Sequence, residues 1–132
     1  MVHQNVVETM PADPKRRRAH LLGLRAEGIA AFWLMLKGYR ILERRYRTPR
    51  GEIDLIAKRF DTIAIVEVKA RDTLDAALEA ITPGNRRRIV EAAYLWLGRN
   101  PQHGEATLRF DALLIAPRRL PHHMRNAFEA HR

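Results

Sequence analysis

Residues 51–71 read GEIDLIAKRFDTIAIVEVKAR, two β-branched runs separated by Phe60-Asp61, and the reading of this stretch decides the fold. The runs at about Glu52 to Lys58 and Thr62 to Ala70 predict antiparallel strands joined by a two-residue loop, so that paired positions sum to 121. Side chains alternate along a strand. Glu52, Asp54 and Ile56 are therefore expected on one face with Ile53 and Leu55 on the other, and Ile65, Glu67 and Lys69 on one face with Val66 and Val68 behind. In this register Asp54 lies opposite Glu67 and Glu52 opposite Lys69, whereas a one-residue slip would separate the two acids.

Directly opposed carboxylates repel. Desolvating even one costs on the order of several kcal/mol, a large share of a small domain's net stability. A divalent cation compensates such an arrangement. Carboxylate oxygens suit Mg2+ or Mn2+, which keep waters and bind through a few carboxylates plus substrate phosphate, so the constellation points to metal-assisted phosphodiester chemistry. A lone Glu-x-Lys is ordinarily a solvated ion pair on an edge strand. Here it ends an apolar strand and follows an Asp flanked by apolar residues. In addition, Glu27 falls inside the apolar stripe of the preceding helix.

That helix is expected over about Arg17 to Lys37, with Leu21, Leu24, Ala31, Leu34 and Met35 facing a core and Gly38 as a left-handed C-cap. Residues 1–14 carry two prolines and no periodicity and read as a disordered tail; residues 15–132 fit a single domain. A strand is expected at about Tyr39 to Tyr46, followed by a turn at Thr48-Pro49-Arg50-Gly51. Helix follows from about Leu74, interrupted near Pro83-Gly84 and resumed from Asn85 to about Leu97; then comes a strand at Ala106 to Ala116. His122 to Ala130 reads as a short helix or irregular segment. The order α-β-β-β-α-β specifies an α/β fold, a central mixed sheet flanked by helices.

The chain of 132 residues has 24 Lys+Arg, 20 of them Arg, against 15 Asp+Glu, for a net charge of +9. A basic excess of that size favours a polyanionic partner such as DNA. Cysteine and serine are both absent, which excludes disulfides, thiolate metal sites and Ser or Cys nucleophiles. No Gly-rich phosphate loop occurs, and the six histidines show no ligand spacing, His122-His123 reading as solvated. The longest apolar run, Ile29 to Leu36, is too short to span a bilayer and nothing resembles a secretory signal, so a cytoplasmic, non-membrane protein is expected. Arg86, Arg87 and Arg88 sit where a helix begins, an unfavourable place for cations unless an anion binds, and are candidate phosphate contacts with Arg50 and Arg71.

Glu27, GEIDLIA (Gly51 to Ala57), VEVKAR (Val66 to Arg71) and RFDALLI (Arg109 to Ile115) together resemble the YraN family of small bacterial predicted endonucleases. That family is similar to archaeal Holliday-junction resolvases of the PD-(D/E)xK, restriction-endonuclease-like class. The resemblance covers about Leu21 to Phe128. It implies a restriction-endonuclease-like fold and catalytic Asp54, Glu67, Lys69 and Glu27. The metal, Mg2+ or Mn2+, would sit on Asp54 and Glu67 with Glu27 nearby. Ile53 stands where the class has a proline, and Pro83-Gly84-Asn85 where a basic residue begins the second long helix. The expectation is a metal-dependent endonuclease acting on DNA, with branched or flapped structures as candidate substrates. The rivals are a nucleic-acid-binding scaffold that cuts nothing and an RNA-processing nuclease. Resolving a symmetric junction takes two sites, and the Phe32 to Leu36 run offers apolar surface for a homodimer.

Overall fold

The computed structural model describes residues 14–129; the expected tail, apart from Pro14, and residues 130–132 lie outside them. The elements in order are α1 (Pro14–Leu36), β1 (Arg40–Arg47), β2 (Glu52–Arg59), β3 (Thr62–Ala70), α2 (Leu74–Glu79), α3 (Pro83–Arg99), a 3-10 turn (Pro101–His103), β4 (Thr107–Ile115) and β5 (His122–Phe128). The five strands form one sheet in sequence order. β3 and β4 run parallel and every other neighbouring pair antiparallel, so the expected mixed α/β sheet is what the chain forms. A parallel pair needs a crossover, and α2 with α3 supplies it.

The helices divide between the two faces. α1 lays Ala30, Ala31 and Leu34 on Leu55, Ala57, Ala64, Val66 and Leu113. α2 and α3 lay Ala77, Ile89, Val90, Ala93 and Trp96 on Ile53, Ile56, Ile63, Ile65 and Phe110. α1 starts at Pro14, three residues ahead of the expected Arg17, because a proline at the first helical position loses no hydrogen bond. It ends as expected: Gly38 has φ +92° and Tyr39 N–H reaches back 3.0 Å to the Leu34 carbonyl. Met35, expected in the core stripe, is exposed, since it lies about 100° around the helix from buried Leu34. The side chains of Leu21 and Leu24 lie outside the described ones. Proline 83 begins a new helix rather than interrupting one: Thr82 accepts from Asn85 N–H at 3.2 Å, and Thr73 caps α2 in the same way at 3.0 Å.

The hairpin register is the expected one. Leu55 pairs with Val66, Ile56 with Ile65 and Arg59 with Thr62 around the Phe60-Asp61 loop, with Phe60 at φ +54°. The facing pattern of β2, however, is not a simple alternation. Ile53 and Ile56 both join the α3-side core while Leu55 joins the α1-side core, so the phase changes at Asp54. The cause is local: Asp54 Oδ2 accepts Val68 N–H at 2.8 Å. A side chain has replaced a main-chain acceptor, and the regular ladder stops at Leu55 and Val66. Opposite Asp54, Arg45 of β1 has φ +51°.

The segment from His122 is a strand, not the expected helix or irregular piece. Its sequence hides this because an inward residue, His123, is polar, and because Asn126 at φ +55° breaks the alternation opposite a register shift in β4. Among the described residues no helix is long and apolar enough to cross a membrane.

Gly51 closes the turn between β1 and β2 against α3. A Cβ built there would meet Arg88 Cβ at 2.9 Å and the Arg88 carbonyl oxygen at 3.0 Å, backbone that cannot swing aside. Gly51→Ala is expected to cost about 1–3 kcal/mol in urea unfolding. Gly98→Ala, in α3 with nothing within 4 Å of the added methyl, is expected to be stabilising by roughly 0.5–1 kcal/mol.

Candidate active site

Where the β2–β3 ladder stops, the two strands present Asp54, Glu67 and Lys69 at one place. Glu67 is 5% exposed, and its Oε2 lies 3.3 Å from Lys69 Nζ. Burial raises the Glu67 pKa, and the Asp54 charge and a hydrogen bond with its carboxyl raise it further. Lys69 opposes these effects without overcoming them, and the group is pushed up to about 8. Two carboxyls set this close repel when both are charged, and a cation between them relieves that repulsion.

Glu27 comes to the same region from α1. It is buried, and burial raises its pKa; the Asp54 charge adds to the effect while Arg45, which donates to Glu27 Oε1 at 2.9 Å, opposes it. The sequence-level grouping of Glu27 with Asp54 is thus a spatial one, but Glu27 spends its near oxygen on an arginine. Glu52 lies beyond the last regular pair of the β2–β3 ladder and accepts from Arg47 Nε of β1 at 3.2 Å. Among the described residues no three Asp, Glu, His or Cys side chains converge closely enough to enclose a metal ion. The donors on hand are two carboxylates, which suits a cation that fills its remaining positions with water and phosphate oxygens.

Asp54 and Lys69 open into a cleft of about 1050 Å³ between α1 and the carboxyl ends of β3 and β4. Arg71 lines it; Arg50, Arg86, Arg87 and Arg88 do not. Arg50 leans toward Glu91 at 3.6 Å. Arg86 packs its guanidinium 5.5 Å from the Phe128 ring centre with its Nε buried, so α3 uses that cation as a packing residue. Arg87 and Arg88 are exposed on α3 beyond the cleft. The cleft's other cations are Arg45, Arg47, Arg118 and Arg119, none of which stood out in the sequence. The last two were findable. β4 runs parallel to β3 with Ile115 beside Ala70, so the loop that follows β4, Pro117-Arg118-Arg119, must emerge next to the end of the Glu67-Lys69 strand.

A second polar cluster lies under β5. Asp111, fully buried, accepts from Arg109 Nε at 2.8 Å, from Asn126 N–H at 3.0 Å and sits 2.8 Å from His123 Nε2. Burial pushes its pKa up, but the bonds from His123, Arg109 and Asn126 together hold it below the ordinary carboxylate value. His123 is not solvated as the sequence suggested: its side chain is 2% exposed and its Nδ1 lies 2.6 Å from Lys37 Nζ.

Comparison with known proteins agrees with the motifs. The model of a family described as uncharacterised protein family UPF0102 matches residues 26–115. A UPF0102 protein of Bradyrhizobium diazoefficiens is 55% identical over 123 residues, covering 93% of this chain and 92% of the relative. One of Methylorubrum extorquens is 58% identical over 121 residues, covering 90% and 94%. One of Rhodopseudomonas palustris strain BisA53 is 56% identical over 120 residues, covering 91% and 92%.

The raised Glu67 pKa has a consequence for stability. Between about 4.5 and 8 the folded chain holds a proton that the unfolded chain has lost, so this contribution is complete below 4.5 and disappears as pH rises through 8. Glu67→Gln, which keeps the neutral form, should gain on the wild type by about 2 kcal/mol or more between pH 5 and pH 9 in urea unfolding. A difference that stays constant over that range would mean that Glu67 carries its charge throughout.

Proposed function

We propose that this protein, which belongs to the UPF0102 family, is a metal-dependent endodeoxyribonuclease. The observation that carries the reading is the pairing of buried Glu67 with Asp54, beside Lys69, with Asp54 and Lys69 facing an arginine-lined cleft. Asp54 and Glu67 would hold Mg2+ or Mn2+, with Glu27 behind them. When bound, the ion supplies charge stabilisation at the phosphodiester and a more acidic water. Lys69 orients that water and offsets charge gathering on the phosphoryl oxygens. Arg45, Arg47, Arg71, Arg118 and Arg119 hold the phosphate backbone across the cleft, each guanidinium fork suited to a phosphate. Asp54, fixed by Val68 N–H, sets the position of the whole group. A chain that meets DNA in a reducing compartment fits the cysteine-free composition and a cytoplasmic location.

The apolar side chains on α1 favour a homodimer as the form that acts on branched DNA. Phe32 is 59% and Leu36 64% exposed, and Ile29 and Met35 lie in the same stretch of helix. Two sites related by a two-fold axis would cut both strands of a symmetric junction.

Asp54→Asn relieves a repulsion while its amide oxygen can still accept from Val68. It is expected to leave the metal-free melting temperature unchanged or higher and to abolish the stabilisation given by Mn2+. It should also abolish Mg2+-dependent cleavage on junction, flap, single-stranded and duplex DNA. Wild-type protein that binds these DNAs in a salt-dependent way yet cuts none of them, with or without Mn2+, would leave a binding scaffold; cleavage confined to RNA would change the substrate. Light scattering at micromolar concentration should give a dimer mass, and Phe32→Ser with Leu36→Ser a monomer.

A further inference from the structure

Just past the C-terminal end of α1, a pocket of about 370 Å³ is lined by Lys37, Gly38, Arg40, Lys58, Arg59 and Phe60. Four of these six are cations. Arg40 and Lys58 are direct cross-strand partners on β1 and β2, an arrangement in which like charges oppose folding. Neither has an ion pair with a carboxylate among the described residues. Nearby groups register the uncompensated field. After burial, Lys58 and Arg40 are what lower the His103 pKa, and Arg125 and Arg59 what lower that of Lys37. Asp61, the other residue of the hairpin loop, does not line the pocket.

The cations are also held in place from beneath. Lys37 Nζ sits on His123, which sits on Asp111, itself bound by Arg109. Arg59 lies 4.5 Å over the Tyr39 ring and donates to the Lys37 carbonyl at 2.9 Å. Asp111, the carboxylate this network ends on, is already taken up by Arg109, His123 and Asn126 N–H. Beside the cations stands Phe60, 87% exposed, at the tip of the hairpin with a backbone conformation that a bulky side chain rarely takes. Its ring touches no core.

We propose that this pocket is a second nucleic-acid contact, taking a strand phosphate on Lys37, Arg40, Lys58 and Arg59 and an unpaired base on the ring of Phe60. A phosphate relieves the Arg40–Lys58 repulsion, and an exposed ring beside cations is the combination that receives single strands without regard to sequence. The inference rests on the DNA reading above and adds a polarity to it. Lys58 is four residues along β2 from Asp54, about 13 Å at the rise of a strand, so a single-stranded arm held at the hairpin belongs to the same substrate as the strand in the cleft.

The test is fluorescence anisotropy of a labelled oligothymidylate and of a duplex, in EDTA so that no cleavage enters. Arg40→Gln with Lys58→Gln, which removes a repulsion and so preserves the fold, should weaken single-strand binding. It should also lower the slope of log affinity against log salt by about 1.4 if each cation meets one phosphate. Phe60→Ala should weaken the single strand roughly 5- to 150-fold and leave the duplex unchanged, with Phe60→Tyr restoring affinity. Unchanged affinity and slope in the double variant, equal losses on single strand and duplex for Phe60→Ala, or full displacement of the pocket-dependent binding by millimolar inorganic phosphate would overturn the proposal. A wild type that binds and cuts DNA while the pocket variants bind normally would sink this inference alone; a wild type that binds no DNA would sink the reading beneath it as well.

Discussion

The hydrogen bond from Val68 N–H to Asp54 is the constraint around which this molecule is arranged. A main-chain donor in the middle of a sheet is ordinarily met by the neighbouring strand's carbonyl, and leaving it unmet in a buried place is costly. By meeting it with a side chain, the chain fixes an aspartate in the sheet without orphaning backbone. The regular ladder gives way beside it, β2 changes phase, and a gap opens into which Glu67 and Lys69 are brought. The acids can lie together because burial and the neighbouring charge favour the neutral form of Glu67. Charge state and strand geometry are two expressions of the same local choice.

Much of this was legible from residues 51–71. The two-residue loop, the register and the meeting of Asp54 with Glu67 follow from alternation and loop length, both short-range properties of the chain. What alternation could not reveal was its own interruption at Asp54, because a side chain substituting for a carbonyl leaves no mark on the apolar pattern. The same limit hid β5. His123 is an inward residue made acceptable by Asp111, so a strand position that is buried in space reads as polar in the sequence. Arg86 shows another side of the same limit: its charge suggests a phosphate, and no short window of sequence shows the Phe128 ring beside its guanidinium or the burial of its Nε. Arg118 and Arg119 are far from the motifs in the chain and near them only through the parallel pairing of β3 with β4, a relation that no short window contains.

The buried Asp111 cluster ties three elements that also pack against one another through Leu113, Phe110 and Phe128. Arg109 and Asp111 belong to β4, His123 and Asn126 to β5, and Lys37 to the end of α1, with Tyr39 hydrogen-bonded to Arg109 beside it. A fully satisfied polar group of this kind specifies one arrangement where an apolar one would tolerate several.

The two outer strands share a feature of a different kind. β1 and β5 form the open margins of the sheet, and each carries one non-glycine residue in the left-handed region, Arg45 and Asn126. Each such kink spoils the straight row of donors and acceptors that another polypeptide would need to continue the sheet, and β1 adds a run of arginines, Arg44, Arg45 and Arg47, that repel a like copy. The chain is thereby guarded against runaway edge-to-edge aggregation at both margins. What remains open for contact is helix surface rather than sheet edge, so the exposed side chains of α1 do not extend into a row of free backbone groups on which fibres could grow.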